Sequence, residues 1–327
     1  MSNLAVNYMG LKMKNPIIVS SSSMTQTAAG VKKCADNGAG AVVLKSLFEE
    51  QIVAEIGSAD EGEETSPHPE AREYIEQMGM RLGPSAYLDL IRESKSTTDV
   101  PIIASINCIT AKWWVQFAKQ IQSSGADALE LNISIMPRES SESADSVEQQ
   151  LVQVVRAVRS EIDLPLAVKI GPYFSSLPSM ATQLVEAGAD ALVLFNRFYQ
   201  LDIDVAAMKM TAGNQFSDPQ EIHLPLRWVS ILAGKTRADL AATTGIHDGE
   251  GAIKMLLAGA TVVQLCSGIF LHGFGLIEEV RSHIEQWMDA NAVESIDQFR
   301  GRMSRTESRN PEVYERLQYI KALTGVA

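Results

Sequence analysis

The chain has 327 residues, of which 46% are hydrophobic and 21% are charged, and its formal net charge is −12 at pH 7. This composition predicts a folded globular protein with a sizeable core and excludes a largely disordered chain. The acidity argues against nucleic acid and anionic membranes as partners, since both attract a basic surface. No secretory leader or apolar run of ~18 residues can be recognised in the sequence. We therefore expect a cytoplasmic protein.

Metal binding and disulfide bonds are not indicated by the cysteines and histidines. The three cysteines, Cys34, Cys108 and Cys266, are far apart and lack metal-ligand spacing. The histidines also lack such spacing, and none belongs to a Ser-His-Asp arrangement with a nucleophile elbow. We interpret all five as surface or loop residues: His68, His223, His247, His272 and His283.

A short unit, a glycine followed by an apolar run, recurs four times along the chain. It begins at Gly38, Gly125, Gly188 and Gly259, each time after a helix-like stretch. The glycine can end the helix, and the apolar run suits a parallel strand that is buried on both faces. Further strand-like segments lie between these units, at Pro16–Ser20, Pro101–Asn107, Pro165–Ile170 and Ala238–Thr243. The sequence therefore predicts eight strands.

Helix-like segments occupy the intervals between these strands. The predicted helices are Ala28–Asn37, Ser85–Lys95, Ala111–Ser123, Ser146–Glu161, Leu177–Glu186, Leu226–Ala233, Glu250–Leu257 and Gly275–Ala290. Alternation of strand and helix predicts an α/β fold with a parallel sheet, and eight repeats predict closure into a (β/α)8 TIM barrel. A doubly wound open sheet is the alternative.

The barrel is expected to span residues 1–290, with loop inserts at about 49–83 and 197–224. Both inserts follow predicted strands, so they should lie over the C-terminal face of the barrel, where functional loops are found. Residues 291–327 are predicted to form a helical extension packed on the barrel, as a cap or an oligomer contact.

Polar residues at the ends of the predicted strands are the first candidates for a site, because the strands themselves are apolar. They are Lys45-Ser46, Asn107-Cys108, Asn132 with Ser134, Lys169, and Asn196-Arg197. Lys169 is the most informative, because a lysine that points into a barrel mouth requires an anionic or hydrogen-bonding partner. The alternative is a lysine that extends from the rim into water.

Small-residue turns follow the seventh and eighth predicted strands, at Thr244-Gly245-Ile246 and Cys266-Ser267-Gly268. Barrels commonly bind phosphate there through backbone N–H groups and a helix N-terminus. Glu130 lies two residues before Asn132 and so shares its strand face. Either Glu130 belongs to an inner barrel layer with a partner such as Lys169, or the strand is irregular at this point.

In their order and placement these segments resemble the dihydroorotate dehydrogenases, the FMN-dependent barrel enzymes of pyrimidine biosynthesis, and in particular the class 1 group. The segments concerned are Asn15–Ser21, Leu44–Ser46, Glu130–Ser134, Val168–Tyr173, Thr244–Ile246 and Gly259–Gly268. The resemblance implies that Lys169 lies beside the N1/O2 edge of the flavin, where a cation stabilises negative charge on the reduced ring. The implied FMN contacts are Ser20, Ser21, Lys45, Ser46, Asn107, Asn132, Lys169, Gly245, Ser267 and Gly268.

The sequence departs from this family on the substrate side. The family places its catalytic base, cysteine or serine, where this chain has Ile135, and isoleucine cannot accept a proton. Its substrate-binding asparagine falls at Glu76, and its Asn-Ser pair reads Asn196-Arg197. By the same resemblance the substrate contacts are Lys45, Glu76, Asn132, Asn196 and Arg197.

Three functional hypotheses remain. The first is an FMN-dependent oxidoreductase acting on CH-CH bonds, with hydride transfer between flavin N5 and a dihydropyrimidine-like or other unsaturated small molecule; Lys169, Ser134 and Cys108 are its candidate catalytic residues. The second is a genuine dihydroorotate dehydrogenase with a displaced base. The third is a flavin-binding or regulatory barrel without chemistry, and a flavin-free lyase or synthase that binds a phosphorylated substrate is the remaining class. We expect a small-molecule substrate and a homodimer, and the electron acceptor stays open.

Overall fold

The structure, a computed structural model, describes residues 2–50, 84–107, 111–137, 139–197, 200–308 and 311. Within these residues eight parallel strands close into a barrel, because each strand pairs with the next and the last pairs with the first. The strands are β1 (Ile17–Val19), β2 (Ala41–Val43), β3 (Ile102–Asn107), β4 (Ala128–Asn132), β5 (Leu166–Ile170), β6 (Ala191–Leu194), β7 (Asp239–Thr243) and β8 (Val262–Leu265). The predicted (β/α)8 barrel is confirmed.

Helices connect the strands and form the outer layer. They are α1 (Ala28–Asp36), α2 (Pro84–Thr97), α3 (Ala111–Ser124), α4 (Ala144–Arg159), α5 (Leu177–Glu186), α6 (His223–Leu232), α7 (Gly249–Ala258) and α8 (Gly275–Ala290). All eight predicted helices are present, with ends that differ by three residues at most. Helix α6 begins at His223 rather than Leu226, because a short turn at Pro219–Ile222, capped by the Asp218 side chain, leads directly into it.

Helix α4 illustrates why these segments are helical. The Ser143 side chain accepts a hydrogen bond from the backbone N–H of Ser146 and so caps the first turn. Leu151, Val155 and Val158 recur at helical spacing and are all buried against the barrel. Burial of one such side chain stabilises the fold by about 1.5–3 kcal/mol.

The N-terminal end of the barrel is closed by the first residues of the chain. Val6–Tyr8 and Leu11–Met13 form an antiparallel hairpin, and the backbone N–H of Met9 in its turn donates to the carboxylate of Asp239 at 2.8 Å. The Tyr8 side chain is fully buried there. A cavity that is open to ligands is therefore expected at the opposite, C-terminal end.

The structure describes most of the second predicted insert but little of the first. Most of the first, residues 51–83, lies outside the described residues. The second contains an antiparallel hairpin, Leu201–Asp204 paired with Lys209–Ala212.

After α8, a short helix at Ile296–Phe299 buries Phe299 against Trp287, with ring centroids 4.9 Å apart. In the described part of the chain no helix is both long and apolar enough to cross a bilayer.

Candidate active site

A cavity of about 200 Å³, which we call the mouth cavity, lies at the C-terminal ends of β1 and β5–β8. None of its described lining residues is Asp or Glu, although the chain has a net charge of −12. A cavity without carboxylates in such an acidic protein favours an anionic ligand. The lining residues are Ser20, Ser21, Lys169, Phe195, Asn196, Arg197, Gln215, Ser217, Thr243, Thr244, Gly245, Ile246, Gln264, Cys266 and Ser267.

Lys169 lies near the end of β5 and points into the mouth cavity. Its side chain is buried and its Nζ donates to Ser20 Oγ at 3.4 Å. Among the residues that the structure describes, it forms no ion pair. A buried ammonium with one long hydrogen bond is poorly compensated, so it retains donors for an anionic group. The alternative of a lysine that extends into water does not hold here.

Lys45 lies close enough to Lys169 for their charges to interact. Burial lowers the pKa of Lys45; the thiol of Cys266 partly opposes this effect, and the charge of Lys169 lowers it further. Its Nζ lies 5.1 Å from the centroid of the Phe48 ring. Two neighbouring cations repel each other, and an anion bound between them would relieve the repulsion.

Serine side chains connect the ends of β1, β2 and β3. Ser21 Oγ lies 3.0 Å from Ser46 Oγ and accepts from the Ser46 backbone N–H at 2.7 Å. Ser46 Oγ in turn lies 2.8 Å from Ser105 Oγ inside the barrel. This row fixes Ser21 and Ser46 at the rim beside Lys45.

Two asparagines meet on the other side of the mouth. Asn196 Nδ2, just after β6, donates to Asn132 Oδ1 at the end of β4 at 2.8 Å. Asn132 is also the direct register partner of Lys169 in the neighbouring strand. The Asn107 side chain makes no hydrogen bond with any described residue. The structure thus brings Asn132, Asn196 and Lys169 to one end of the barrel.

The turn after β7 has an unusual backbone conformation. Thr244 and Gly245 have φ angles of 78° and 77°, and a Cβ on Gly245 would lie 2.2 Å from the backbone nitrogen of Ile222. Only glycine fits at position 245, and left-handed Thr244 is an uncommon conformation of the kind that concentrates at functional sites. The tight turn brings its backbone to the edge of the mouth cavity.

Ser217 joins the turns after β7 and β8. Its backbone N–H donates to Ser267 Oγ at 2.9 Å, and its Oγ accepts from the Gly245 N–H at 3.4 Å. His247 Nε2 lies 3.1 Å from the same Oγ, and burial followed by the charge of His272 lowers the pKa of His247. His247 lies in a loop, as predicted, but its ring is buried against this turn and not on the surface.

Gly268 lies behind this turn rather than on the cavity wall. A Cβ there would lie 2.8 Å from Leu276 Cδ2 and 3.2 Å from the His247 Cα. Its small size lets the chain after β8 pack against the turn after β7. The structure does not place it among the described residues that line the mouth cavity.

Ser134 and Ile135 line a different cavity, of about 690 Å³, which we call the outer cavity. It lies between the loop after β4, the loop after β5 and the N-terminal half of α4, and most of its described lining is apolar. Ser134 and Lys169, both predicted to be catalytic, therefore face separate cavities. Cys108 and Glu76 lie outside the described residues, so their predicted roles stay predictions.

Arg197, predicted to contact substrate, is held by the protein itself. Its Nε and Nη2 donate to Glu221 Oε2 and Oε1 at 2.9 and 3.2 Å, and its Nη1 donates to the Asn214 carbonyl at 2.8 Å. These contacts join the two ends of the segment that carries the Leu201–Ala212 hairpin. The guanidinium thus forms part of the cavity wall.

Sequence reasoning missed several residues of the mouth cavity, among them Phe195, Gln215, Ser217 and Gln264. Gln264 was detectable, because it is a polar residue within an otherwise apolar predicted strand. Ser217 lies in the second insert, where no periodic pattern marks it. Glu130 points into the barrel, as one of the two alternatives predicted. Its hydrogen-bond partner is Gln264 and not Lys169: Gln264 Nε2 donates to Glu130 Oε2 at 2.8 Å.

The fold and the mouth cavity together define a (β/α)8 barrel with a ligand site at the carboxyl ends of its strands, the location of the active site in barrel enzymes. Residues 3–288 match the family model described as dihydroorotate dehydrogenase. The chain belongs to the dihydroorotate dehydrogenase family, which is flavin-dependent, and it is an oxidoreductase acting on CH-CH bonds.

Curated relatives agree with this assignment. A protein of Methanocaldococcus jannaschii named dihydroorotate dehydrogenase B (NAD(+)), catalytic subunit, is 27% identical over 86% of this chain and 92% of its own length. A protein of the same name from Pyrococcus abyssi is 28% identical over 91% of this chain and 98% of its own length. A putative dihydroorotate dehydrogenase A (fumarate) of Aeropyrum pernix is 29% identical over 65% of this chain and 70% of its own length.

Proposed function

We propose that the chain binds FMN in the mouth cavity and transfers a hydride between the flavin and a carbon-carbon bond of a dihydropyrimidine-like or other unsaturated small molecule. The observation that carries this proposal is the mouth cavity itself. It holds the Lys169 ammonium without an ion pair among the described residues, and its described lining contains no carboxylate. A place in pyrimidine metabolism follows from the family.

The donors present fit the two ends of FMN. Ser267 and the Thr244–Gly245 turn would hold the phosphate, because a hydroxyl and the backbone N–H groups of a tight turn can donate hydrogen bonds to an anion. Lys169 would stabilise negative charge on the ring, and bound FMN would supply the hydride chemistry. The mouth cavity is smaller than the ~300–1,000 Å³ of typical ligand sites, so the cofactor would also contact residues beyond it, including Lys45 and Asn132.

The substrate is proposed to differ from dihydroorotate. Ile135 is half-buried on the outer cavity and cannot accept a proton, and Ser134 faces the same cavity rather than the mouth. General-base catalysis typically contributes about 10²–10⁴-fold in rate. Oxidation of dihydroorotate should therefore be slow or absent. Hydride addition to a double bond beside an electron-withdrawing group instead gives a stabilised carbanion, which solvent water can protonate without a side-chain acid.

We also propose a cytoplasmic homodimer. Leu201 and Ile203 on one strand of the hairpin lie opposite Ala212 and Met210 on the other, so the four side chains share one face. Leu201 and Ile203 are 60% exposed and Met210 is 70% exposed. An isolated two-stranded hairpin is marginally stable in water, which supports a second copy of the chain packed on this uncharged face.

The continuation of this surface supports the same partner. Phe216, just after the hairpin, packs against Phe270 with ring centroids 5.3 Å apart, and Phe270 and Leu271 are themselves exposed. A standard interface takes about 20–30 residues from each partner. The hairpin alone is too small for that, so the proposed interface would also take in Phe216, Leu224 and the Phe270–Leu271 pair, together with further neighbours.

The absorption spectrum of the purified protein tests the proposed function. We expect a yellow protein with one FMN per chain, and a colourless protein that cannot be reconstituted with FMN would contradict the proposal. Anaerobic mixing with dihydroorotate should bleach the flavin slowly or not at all. Rapid bleaching would instead support a genuine dihydroorotate dehydrogenase. NADH is the first reductant to test, because the names of the archaeal relatives include NAD(+).

A further inference from the structure

The interior of the barrel contains a row of four hydrogen-bonded polar side chains that ends at the mouth cavity. Lys169 Nζ lies 3.4 Å from Ser20 Oγ, Ser20 Oγ lies 3.0 Å from Gln264 Oε1, and Gln264 Nε2 lies 2.8 Å from Glu130 Oε2. The four residues come from different parts of the chain, and each is at most 8% exposed. The row thus connects a cation at the mouth with a carboxylate inside the barrel.

The hydrogen bonds in this row all run in one direction. An ammonium can only donate, so Ser20 Oγ accepts from Lys169 and gives its own hydrogen to Gln264 Oε1. The Gln264 amide then donates to Glu130, which as a carboxylate can only accept. Such a directed row polarises each successive bond. The hydroxyl hydrogen of Ser20 is therefore directed into the barrel and is not free to donate to a ligand in the mouth cavity.

Burial of the Glu130 carboxylate costs folding free energy, which a purely structural role for this residue does not explain. Its side chain is 1% exposed, and its second oxygen, Oε1, has no hydrogen-bond partner among the described residues. Removal of a carboxylate from water costs several kcal/mol unless charge or hydrogen bonds compensate for it. The hydrogen-bonded row leads from Glu130 to an ammonium that itself has no ion pair in the described part of the chain. Within the row, the Lys169 ammonium is therefore the charge that can compensate the Glu130 carboxylate for its burial, and the carboxylate does the same for the ammonium.

We propose that Glu130 is a positioning residue for Lys169. Acting through Gln264 and Ser20, its carboxylate holds the ammonium at the edge of the mouth cavity with the remaining N–H groups directed at the ligand, and it partly offsets the ammonium charge that the ligand experiences. Where the ligand is named as flavin, this inference rests on the function proposed above. The coupling between Glu130 and Lys169 does not depend on it.

Other charged and titratable groups surround the row and must be considered in any test. Lys45 and Cys266 interact with Lys169 at the mouth, and the buried phenols of Tyr8 and Tyr87 lie near Glu130. Burial, and then the charge of Glu130, raises the pKa of Tyr8. None of these groups is replaced in the variants below, and in Glu130→Gln the loss of charge also removes one of the effects that raise the pKa of Tyr8 and Tyr87.

The informative variant is Glu130→Gln, because glutamine keeps an acceptor oxygen and nearly the same volume while it removes the charge. The pKa of Lys169 is measured in ¹³C-lysine spectra, with its signal assigned by its absence from Lys169→Met. We expect this pKa to fall by about one unit in Glu130→Gln, since the lost anion favoured the charged lysine. Ser20→Ala, which interrupts the row but keeps both charges, should give a smaller fall.

Thr261→Val is the matched control. Thr261 precedes the same strand, β8, is buried, and donates to Asp239 Oδ1 at 2.9 Å at the opposite end of the barrel. This variant also removes a buried polar group, but it should leave the pKa of Lys169 unchanged. An unchanged pKa in Glu130→Gln, or an equal change in Glu130→Gln and Thr261→Val, would overturn the proposal.

A second readout uses the flavin-loaded protein. The midpoint potential of the bound flavin should become more positive in Glu130→Gln, because the ammonium charge is no longer offset, and it should stay constant in Thr261→Val. An equal potential in Glu130→Gln and wild type would contradict the role of Glu130 toward the ligand. A wild-type protein that binds no flavin would contradict the proposed function instead, and the lysine titration would still decide whether Glu130 acts on Lys169.

Discussion

Arg197 and Glu221 form a two-point ion pair across a 24-residue separation, with Nε–Oε2 at 2.9 Å and Nη2–Oε1 at 3.2 Å. The pair joins the end of β6 to the turn before α6, and so it closes the segment that carries the exposed hairpin. Paired guanidinium and carboxylate groups in this geometry are stronger than single hydrogen bonds. The Arg197–Glu221 ion pair thus fixes the position of Arg197 in the wall of the mouth cavity.

The stability of this rim is expected to depend on pH. Burial tends to raise the pKa of Glu221, but the hydrogen bonds from Arg197 and the Asp218 backbone and the charge of Arg197 outweigh it, so the pKa lies below its usual 4.5. A pKa that is lower in the folded state means that the pair stabilises the fold at neutral pH. This contribution is lost as the pH falls through the folded-state pKa.

Glu221→Gln should reproduce the acid state at neutral pH. We expect faster hydrogen exchange of the backbone amides of Ser217 and Asp218, with little change in the barrel strands. Asp36→Asn, which removes an exposed ion pair with Lys32 on α1, should leave these amides unaffected. Equal exchange in Glu221→Gln and wild type would show that the pair does not hold the rim.

Lys169→Ala should weaken FMN binding far more than it lowers the melting temperature. Loss of a charged hydrogen bond to the ligand costs about 1.5–3 kcal/mol, or roughly 10–100-fold in Kd. The fold should lose less, because Lys169→Ala also removes a buried ammonium and its repulsion with Lys45, and both offset the lost bond to Ser20 and the lost compensation of Glu130. Flavin fluorescence titration and thermal melting measure the two effects. A large fall in melting temperature with unchanged Kd would make Lys169 a scaffold residue, and Lys254→Ala, at an exposed position of α7, is the control.

Gly245→Ala should destabilise the protein by about 1–3 kcal/mol and release FMN. The new Cβ would lie 2.2 Å from the Ile222 nitrogen on a backbone with φ of 77°, so the turn would have to move away from the mouth cavity. Gly275→Ala, where nothing lies within 4 Å of the added Cβ, should be neutral in both respects. Urea unfolding and FMN titration are the measurements, and normal values for both in Gly245→Ala would refute this account of the turn.

Charge on the apolar face of the hairpin should prevent the proposed dimer. Ile203→Glu is expected to give a monomer by light scattering, because a carboxylate buried in the interface would lack a partner. Thr211→Glu places the same charge on the opposite face of the same hairpin and should leave the dimer intact. If wild type is itself monomeric, or if Ile203→Glu remains dimeric, this face is not the interface between copies.

The barrel can be predicted from the sequence alone. Strand positions and helix periods are local signals, since apolar runs such as Ala191–Leu194 and glycine turns such as Gly188 restrict the backbone whatever its tertiary contacts. The polar residues at strand ends were visible for the same reason. Ser20, Asn196 and Lys169 could be assigned to one end of the fold before any contact was known, because parallel strands in a barrel all end on one face.

Which of these side chains meet depends on the three-dimensional fold and cannot be predicted from local sequence. Glu130 and Gln264 are 134 residues apart, and their hydrogen bond exists because barrel closure turns both side chains inward. The separation of Ser134 from Lys169 into two cavities depends on where the chain leaves β4. Ser217 reaches the mouth through contacts with Ser267 and Gly245, in a segment whose ends are joined by Arg197 and Glu221. Such contacts depend on side-chain direction and on closure of distant strands, which no local pattern encodes.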